Sequence, residues 1–342
     1  MTNVPQQAVL TQEAEPKPGP GQESTASGRP SWRNLNFGPR MWVAVTIIVI
    51  IALMAVVGPF LYPFKSTEKV GSLFDEPTAA HILGTDNFGH DIIAVLMMST
   101  RNSLLNGLMA GTLAVFIGVL IGILAGYVGG WVEEALMGVT NIVVAIPSIV
   151  VLILISMSLQ HTSVPFLKGI AGMSLVIGIT SWPWTARAVR AQASSVATRE
   201  HIDIAKLSGA RTPSILVRDV LPYLASYVVM AWVLQLASAI LAESTLSMLG
   251  LGVSGTDSLG MELHWALAFQ AVSTGAWWAF LPPTIILTMI SFSLLYLQSS
   301  LDEVFNPRLR RGKKKNLAKA AARRAEAARQ LAEQNEKVEV LS

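Results

Sequence analysis

The chain has 342 residues, 52% of them apolar and 14% charged, with a mean hydropathy of +0.50, a composition that excludes an ordinary soluble domain. The net charge of +3 forms no patch that calls for nucleic acid. There is no cysteine, so disulfides and thiolate metal sites are excluded as well.

Residues 1–34 are rich in Pro, Gly, Gln, Ser and Glu. They cannot bury enough apolar surface to offset ordering entropy and are expected to form a disordered tail. Apolar runs follow at 41–62, 103–127, 135–159, 170–188, 224–249 and 281–301. Each is close to the roughly 20 residues a helix needs to cross hydrocarbon, so the expected fold is an all-α integral membrane protein with six transmembrane helices. The first helix, within 35–62, is too long and too far from the N-terminus for a cleaved signal. With the N-terminus inside, every lysine and arginine except Lys65, Lys69, Arg101 and Lys168 falls on the cytoplasmic side. The positive-inside rule then puts both termini in the cytoplasm of a multi-pass membrane protein.

The outer segment 63–102 contains HILGTDNFGHD, a turn-rich stretch. His81, His90 and Asp91 lack ligand-like spacing there, which favours a hydrogen-bonded turn over a metal site. From 103 to 301 a five-helix core is expected. Its first helix carries Gly107, Gly111, Gly118, Gly122 and Gly126, a stripe that lets another backbone approach closely. Pro147 predicts a bend in the next helix. Asn141, Gln235 and Glu243 are the polar residues inside the spans and the candidates for facing a transport pathway. Glu243, about 30 Å from the inner end of its helix at 1.5 Å per residue, is expected near the outer interface. Residues 253–280, with several tryptophans and no basic residue, read as an interfacial or re-entrant hairpin, and Pro282 and Pro283 as the start of the last span. The basic tail 302–342 reads as a solvated helix touching anionic lipid headgroups.

The stretch 198–222 is charged and lies between two apolar ones. Thr198 is the expected N-cap, Ile202, Ala205 and Leu207 a small apolar face, and Gly209 a left-handed stop. Thr212 and Pro213 would begin a second short helix that Pro222 ends. Two capped helices meeting at an angle suggest a knob for a partner's groove.

The pattern Asp203, Ala205, Gly209, Leu221, Pro222 resembles the coupling-helix signature of permease subunits of ATP-binding cassette importers. HILGTDNFGHD, LAESTLSMLGLG and NPRLRR further resemble the C-type permease of dipeptide, oligopeptide and nickel importers, over residues 35–311. The chain departs from that pattern at Ile204, where alanine is usual, at Asp219, where histidine is common, and at His90 in place of arginine. The resemblance implies a type I importer permease fold in the bacterial cytoplasmic membrane, forming half of a translocation pathway. It implies as partners a homologous second permease subunit, two ATPase subunits that bind ATP and Mg, and an extracytoplasmic substrate-binding protein. Arg199, Glu200, Asp203, Ala205, Gly209, Arg211, Leu221 and Pro222 would couple this chain to the ATPases. Peptides would be the cargo, with nickel or another small solute as the alternative. The chain has no Gly-x-x-x-x-Gly-Lys-Ser/Thr loop and no catalytic motif, so it reads as a transport subunit that binds no cofactor of its own. An ATP-independent channel or carrier is the reading from a different class.

Overall fold

The structure, a computed structural model, describes residues 38–161, 164–253 and 255–305. The expectations for residues 1–34, for NPRLRR and for most of the basic tail lie outside them. The elements in chain order are α1 (Pro39–Leu61), α2 (Ile92–Val128), α3 (Gly130–Ala145), α4 (Ser148–Gln160), α5 (Pro165–Lys168), α6 (Ile170–Ala197), α7 (Glu200–Leu207), α8 (Thr212–Ile215), α9 (Leu221–Leu246), α10 (Leu259–Ala268) and α11 (Trp277–Phe305). Single π-helical turns join α8 to α9 (Leu216–Val220) and follow α9 (Ser247–Leu251).

Four stretches are long and apolar enough to span a membrane: α1, α2, the run Thr212–Leu251 and α11. The pair α3 and α4 makes five if it counts as one span broken by 78°. That break falls at Pro147, whose missing N–H and ring leave Ile146 extended at ψ 127°. By length and composition four or five spans thus meet the test, where hydropathy along the sequence suggests six. The fourth apolar run belongs to a helix of 28 residues, but its second half carries Arg187 and Arg190 and is less apolar than the others.

Helix α2 begins at Ile92 rather than 103. Asp91 caps it, accepting hydrogen bonds from the amides of Ile93 (2.9 Å) and Ala94 (3.2 Å). The first turns contain polar Ser99 and Thr100, which hide the helix from a hydropathy reading, yet both are fully buried. Helix α11 likewise begins before its prolines, which lie inside it.

At the centre α2 packs against α6 and α9, while α1 pairs with α11. The glycine stripe faces these partners. A methyl at Gly107 would meet Ile240, and one at Gly111 would lie 3.0 Å from the amide of Leu236, both on α9. Past the seven-residue interval, Gly118, Gly122 and Gly126 face Thr185, Ala186 and Arg190 on α6, with the Ala186 carbonyl 2.7 Å from a methyl at Gly122. The backbones are close enough that only glycine fits, which is how helices associate where lipid removes the hydrophobic drive.

Candidate coupling loop and buried polar groups

Eight residues make a helix too short to persist alone, so α7 depends on what its inner face buries. Ile202 is fully buried among Ile123, Val189, Val196, Ile215 and Val220, a contribution of about 1.5–3 kcal/mol. Ala205 packs against the same cluster, so the close approach it permits is to this chain's own bundle. Aromatic rings hold the ends. The Arg199 guanidinium lies 4.3 Å from the ring centre of Tyr223, on which His201 also stacks, and the Lys206 ammonium lies 5.7 Å from that of Tyr127.

The opposite face projects outward. On it Leu207 is 88% exposed and Ile204 64%. Leu207 therefore leaves the inner face assigned to it from sequence, and with Ile204 it is exposed among the likewise exposed Glu200, Asp203 and Lys206 of the same helix; Arg211, before α8, is exposed too. Asp203 reaches Lys206 on this surface at 3.4 Å, and the two acids in the first turn suit the positive end of the helix dipole.

Arg199, not Thr198, occupies the N-cap position, and no side chain caps the helix. The Thr198 hydroxyl instead donates to the Ser195 carbonyl at 3.3 Å. Gly209 has φ +77° and open space around it, so its need is conformational, not steric. Thr212 lies in the first turn of α8, whose N-cap is Arg211. Pro222 does not end that helix. The Leu221 amide bonds the carbonyl of Leu216, one residue beyond α-helical register, and this π turn carries the chain past the missing proline donor into α9. Leu221 packs against the Ile202 cluster and Pro222 is exposed. The loop is thus one short helix joined through Gly209 to a lever continuous with a membrane helix.

The candidate pathway residues have different surroundings. Asn141, exposed on α3, accepts from Arg187 of α6 at 2.9 Å; one helical turn along α6 and about two along α3, Arg190 pairs with Glu133. Gln235 is buried and donates to the Ser181 carbonyl at 2.8 Å. Glu243 is held inside the bundle. It is 3% exposed and accepts from the hydroxyls of Ser247 (2.7 Å), Ser103 (3.2 Å) and Ser244 (3.4 Å). Ser103 in turn accepts from the Leu259 amide at 3.1 Å, so one carboxyl ties α9 to α2 and α10. Ser244 and Ser247 lie one and four residues from Glu243, but Ser103 arrives from 140 positions away, and no local pattern advertised it.

At the same end of the bundle, loop 63–91 builds turns around acids. His81 Nδ1 lies 2.7 Å from Asp91 Oδ2, and His90 Nδ1 lies 3.1 Å from Asp86 Oδ2. Each histidine has its own aspartate. Tyr62 donates to Asp91 at 3.1 Å, and burial beside that carboxylate pushes its hydroxyl up to about 12.

Taken together, the apolar helices and the short helix presented at one end define a multi-pass helical membrane protein with an exposed lever. The chain belongs to the family of binding-protein-dependent transport system inner membrane components, whose model matches residues 118–311. It is 29% identical over 285 residues to the dipeptide transport system permease protein DppC of Bacillus subtilis, covering 82% of this chain and 86% of that one. It is 31% identical over 232 residues to the oligopeptide transport system permease protein OppC of Lactococcus lactis subsp. cremoris (68% and 76% covered). A putative peptide transport system permease protein of Brucella suis is 31% identical over 272 residues (78% and 88% covered). Among solved structures, an inward-facing methionine ABC transporter matches at a TM-score of 0.45 and 18% identity, covering 60% of this chain and 96% of that chain.

Proposed function

We propose that this chain is the permease subunit of an ATP-driven importer of di- or oligopeptides and forms half of its translocation pathway. Two cytoplasmic ATPase subunits, which hold ATP and Mg, dock on the outer face of α7. A homologous permease completes the pathway, and an extracytoplasmic binding protein delivers the cargo. Both termini and α7 lie in the cytoplasm. The observation that supports this most directly is the two-sided character of α7: Ile202 anchors it in the bundle core, while Ile204 and Leu207 are left as an apolar knob. An exposed apolar knob on a rigidly held helix is what a partner's groove takes up. Movement of the knob is passed through Gly209 and the continuous run Thr212–Leu251 into the spans. The peptide assignment rests on the relatives' names, which favour it over nickel or another small solute.

The test is uptake of a labelled peptide into liposomes holding the full complex. With ATP, wild type accumulates peptide; Leu207→Asp lowers uptake at least ~10-fold and weakens co-purification of the ATPases, without changing the thermal midpoint of the subunit. Gly209→Val forces a β-branched residue to φ +77°, at about 1–2 kcal/mol, and is expected to uncouple ATP hydrolysis from uptake. Uptake that proceeds without ATP, or that ignores both variants, supports a channel or carrier instead.

A further inference from the structure

At the end of α2 remote from α7, roughly 40 Å away from Ser99 to Tyr127 at about 1.5 Å per residue, four segments enclose a small polar chamber that the coupling argument does not use. Its cavity, about 10 Å³, is lined by Asp86 and Asn87 from the loop, Ile92 and Leu96 of α2, Glu262 of α10 and Pro283 of α11. That is about the room one water requires. Asn87 is 4% exposed, and its Nδ2 has no hydrogen-bond partner among the described residues. A buried amide donor left in that state costs free energy, and here it borders a cavity whose other polar walls are carboxyls.

We propose that Asp86, Asn87 and Glu262 form a site for one proton and one water, which clamps α10 against α2 and loop 63–91. The proton resides on Glu262. The water accepts from Asn87 Nδ2 and donates to carboxyl oxygens of Glu262 and Asp86, satisfying both kinds of group at once.

The surrounding charges require such neutralisation. Glu262 Oε1 accepts from Ser99 of α2 at 3.2 Å. Facing it are Asp86 of the loop and Asp257 of the segment before α10, while the lining contributed by α11, Ala279 and Pro283, is apolar. Asp86 is already committed, accepting from the amides of Phe88 (2.7 Å) and His90 (2.8 Å) with His90 Nδ1 at 3.1 Å. Asp257 is held by Ser66 and by Asn102, which donates to its carbonyl at 2.7 Å. His90, whose backbone pairs with that of Lys69 on the loop, turns its Nδ1 toward Asp86. Burial first, then the charges of Asp257 and Asp86, push the Glu262 carboxyl up to about 8, and burial also raises Asp257. The neutral carboxyl is thus the form the folded chamber accepts. Because the folded state holds this proton more tightly than the unfolded chain, stability falls as pH rises from the ordinary value of 4.5 toward about 8 and levels off above it.

The experiment uses the purified full-length subunit in lipid nanodiscs, with the infrared absorption of protonated carboxyl groups and the thermal midpoint followed from pH 5 to pH 10. We expect a protonated-carboxyl signal that disappears near pH 8, and a midpoint that falls as pH rises from 5 to about 8 and levels off above it. Glu262→Gln, which keeps the shape, should lose that signal and flatten the fall. Asn87→Leu, which fills the cavity and expels the water, should move the disappearance to higher pH, a shift that a merely structural asparagine would not produce. A wild-type spectrum without the signal at pH 6, or a Glu262→Gln variant with an unaltered pH profile, overturns the proposal. So does a profile displaced by sodium at constant ionic strength, which would make the chamber a cation site. None of these outcomes depends on transport, so they separate from the test of the importer reading.

Discussion

A carboxyl that is 3% exposed inside a helical bundle persists only where its oxygens are occupied by donors. Glu243 meets this condition with three serine hydroxyls from α2, α9 and the π turn after it. The same arrangement makes the serines dependent on the carboxyl. Glu243→Ala opens a cavity and leaves Ser103 and Ser247 without their acceptor, each loss costing about 1–3 kcal/mol. We expect a lowered thermal midpoint in detergent, with Glu243→Gln, which retains one acceptor oxygen, falling less. An unchanged midpoint in the alanine variant would show that the network contributes nothing. Sequence displayed Glu243 as an interruption of an apolar run but placed it by helix length alone. What decides its surroundings is the arrival of Ser103 from α2, a residue 140 positions away, and spacing within one helix carries no trace of that.

Among the elements, those whose boundaries were legible are the ones with local causes. Pro147 forces the break between α3 and α4, and Gly209 sets the turn after α7; both follow from backbone sterics at one residue. Pro222 has the same chemistry but another result, because a π turn upstream absorbs the missing donor. The start of α2 was missed since its first turns bury polar side chains against other helices, which hydropathy cannot distinguish from a loop. The glycine stripe was legible as a packing surface, whereas its partners were not: α9 covers Gly107 and Gly111, α6 the other three. A direct comparison tests whether contact or mere helical composition governs these glycines. At Gly111 a methyl would press on the Leu236 backbone at 3.0 Å, so Gly111→Ala should destabilise by about 1–3 kcal/mol. Gly138, inside α3, has nothing within 4 Å of its would-be methyl, and Gly138→Ala should stabilise by about 0.5–1 kcal/mol. Denaturant midpoints in mixed micelles measure both, and equal effects would refute the packing account.

For the whole molecule, orientation links the two ends. The charge distribution argues that α7 faces the cytoplasm, since the lysines and arginines of 187–218 flank it, and α2, one continuous helix from Ile92 to Val128, then carries the Glu262 chamber to the outer side. In that direction the proposed coupling surface would lie on one side and the proposed proton-sensitive clamp on the other, joined by α2. The absence of cysteine makes it testable without background. Ile82, 65% exposed in loop 63–91, and Leu207, 88% exposed on α7, are suitable single positions for substitution. In intact cells a membrane-impermeant maleimide should label Ile82→Cys and leave Leu207→Cys unreacted until the membrane is opened. Labelling of Leu207→Cys should then slow at least ~10-fold once ATPase subunits cover the knob. If Leu207→Cys reacts from outside and Ile82→Cys does not, the topology is inverted, and α7 would face a compartment where no ATP-driven partner could reach it.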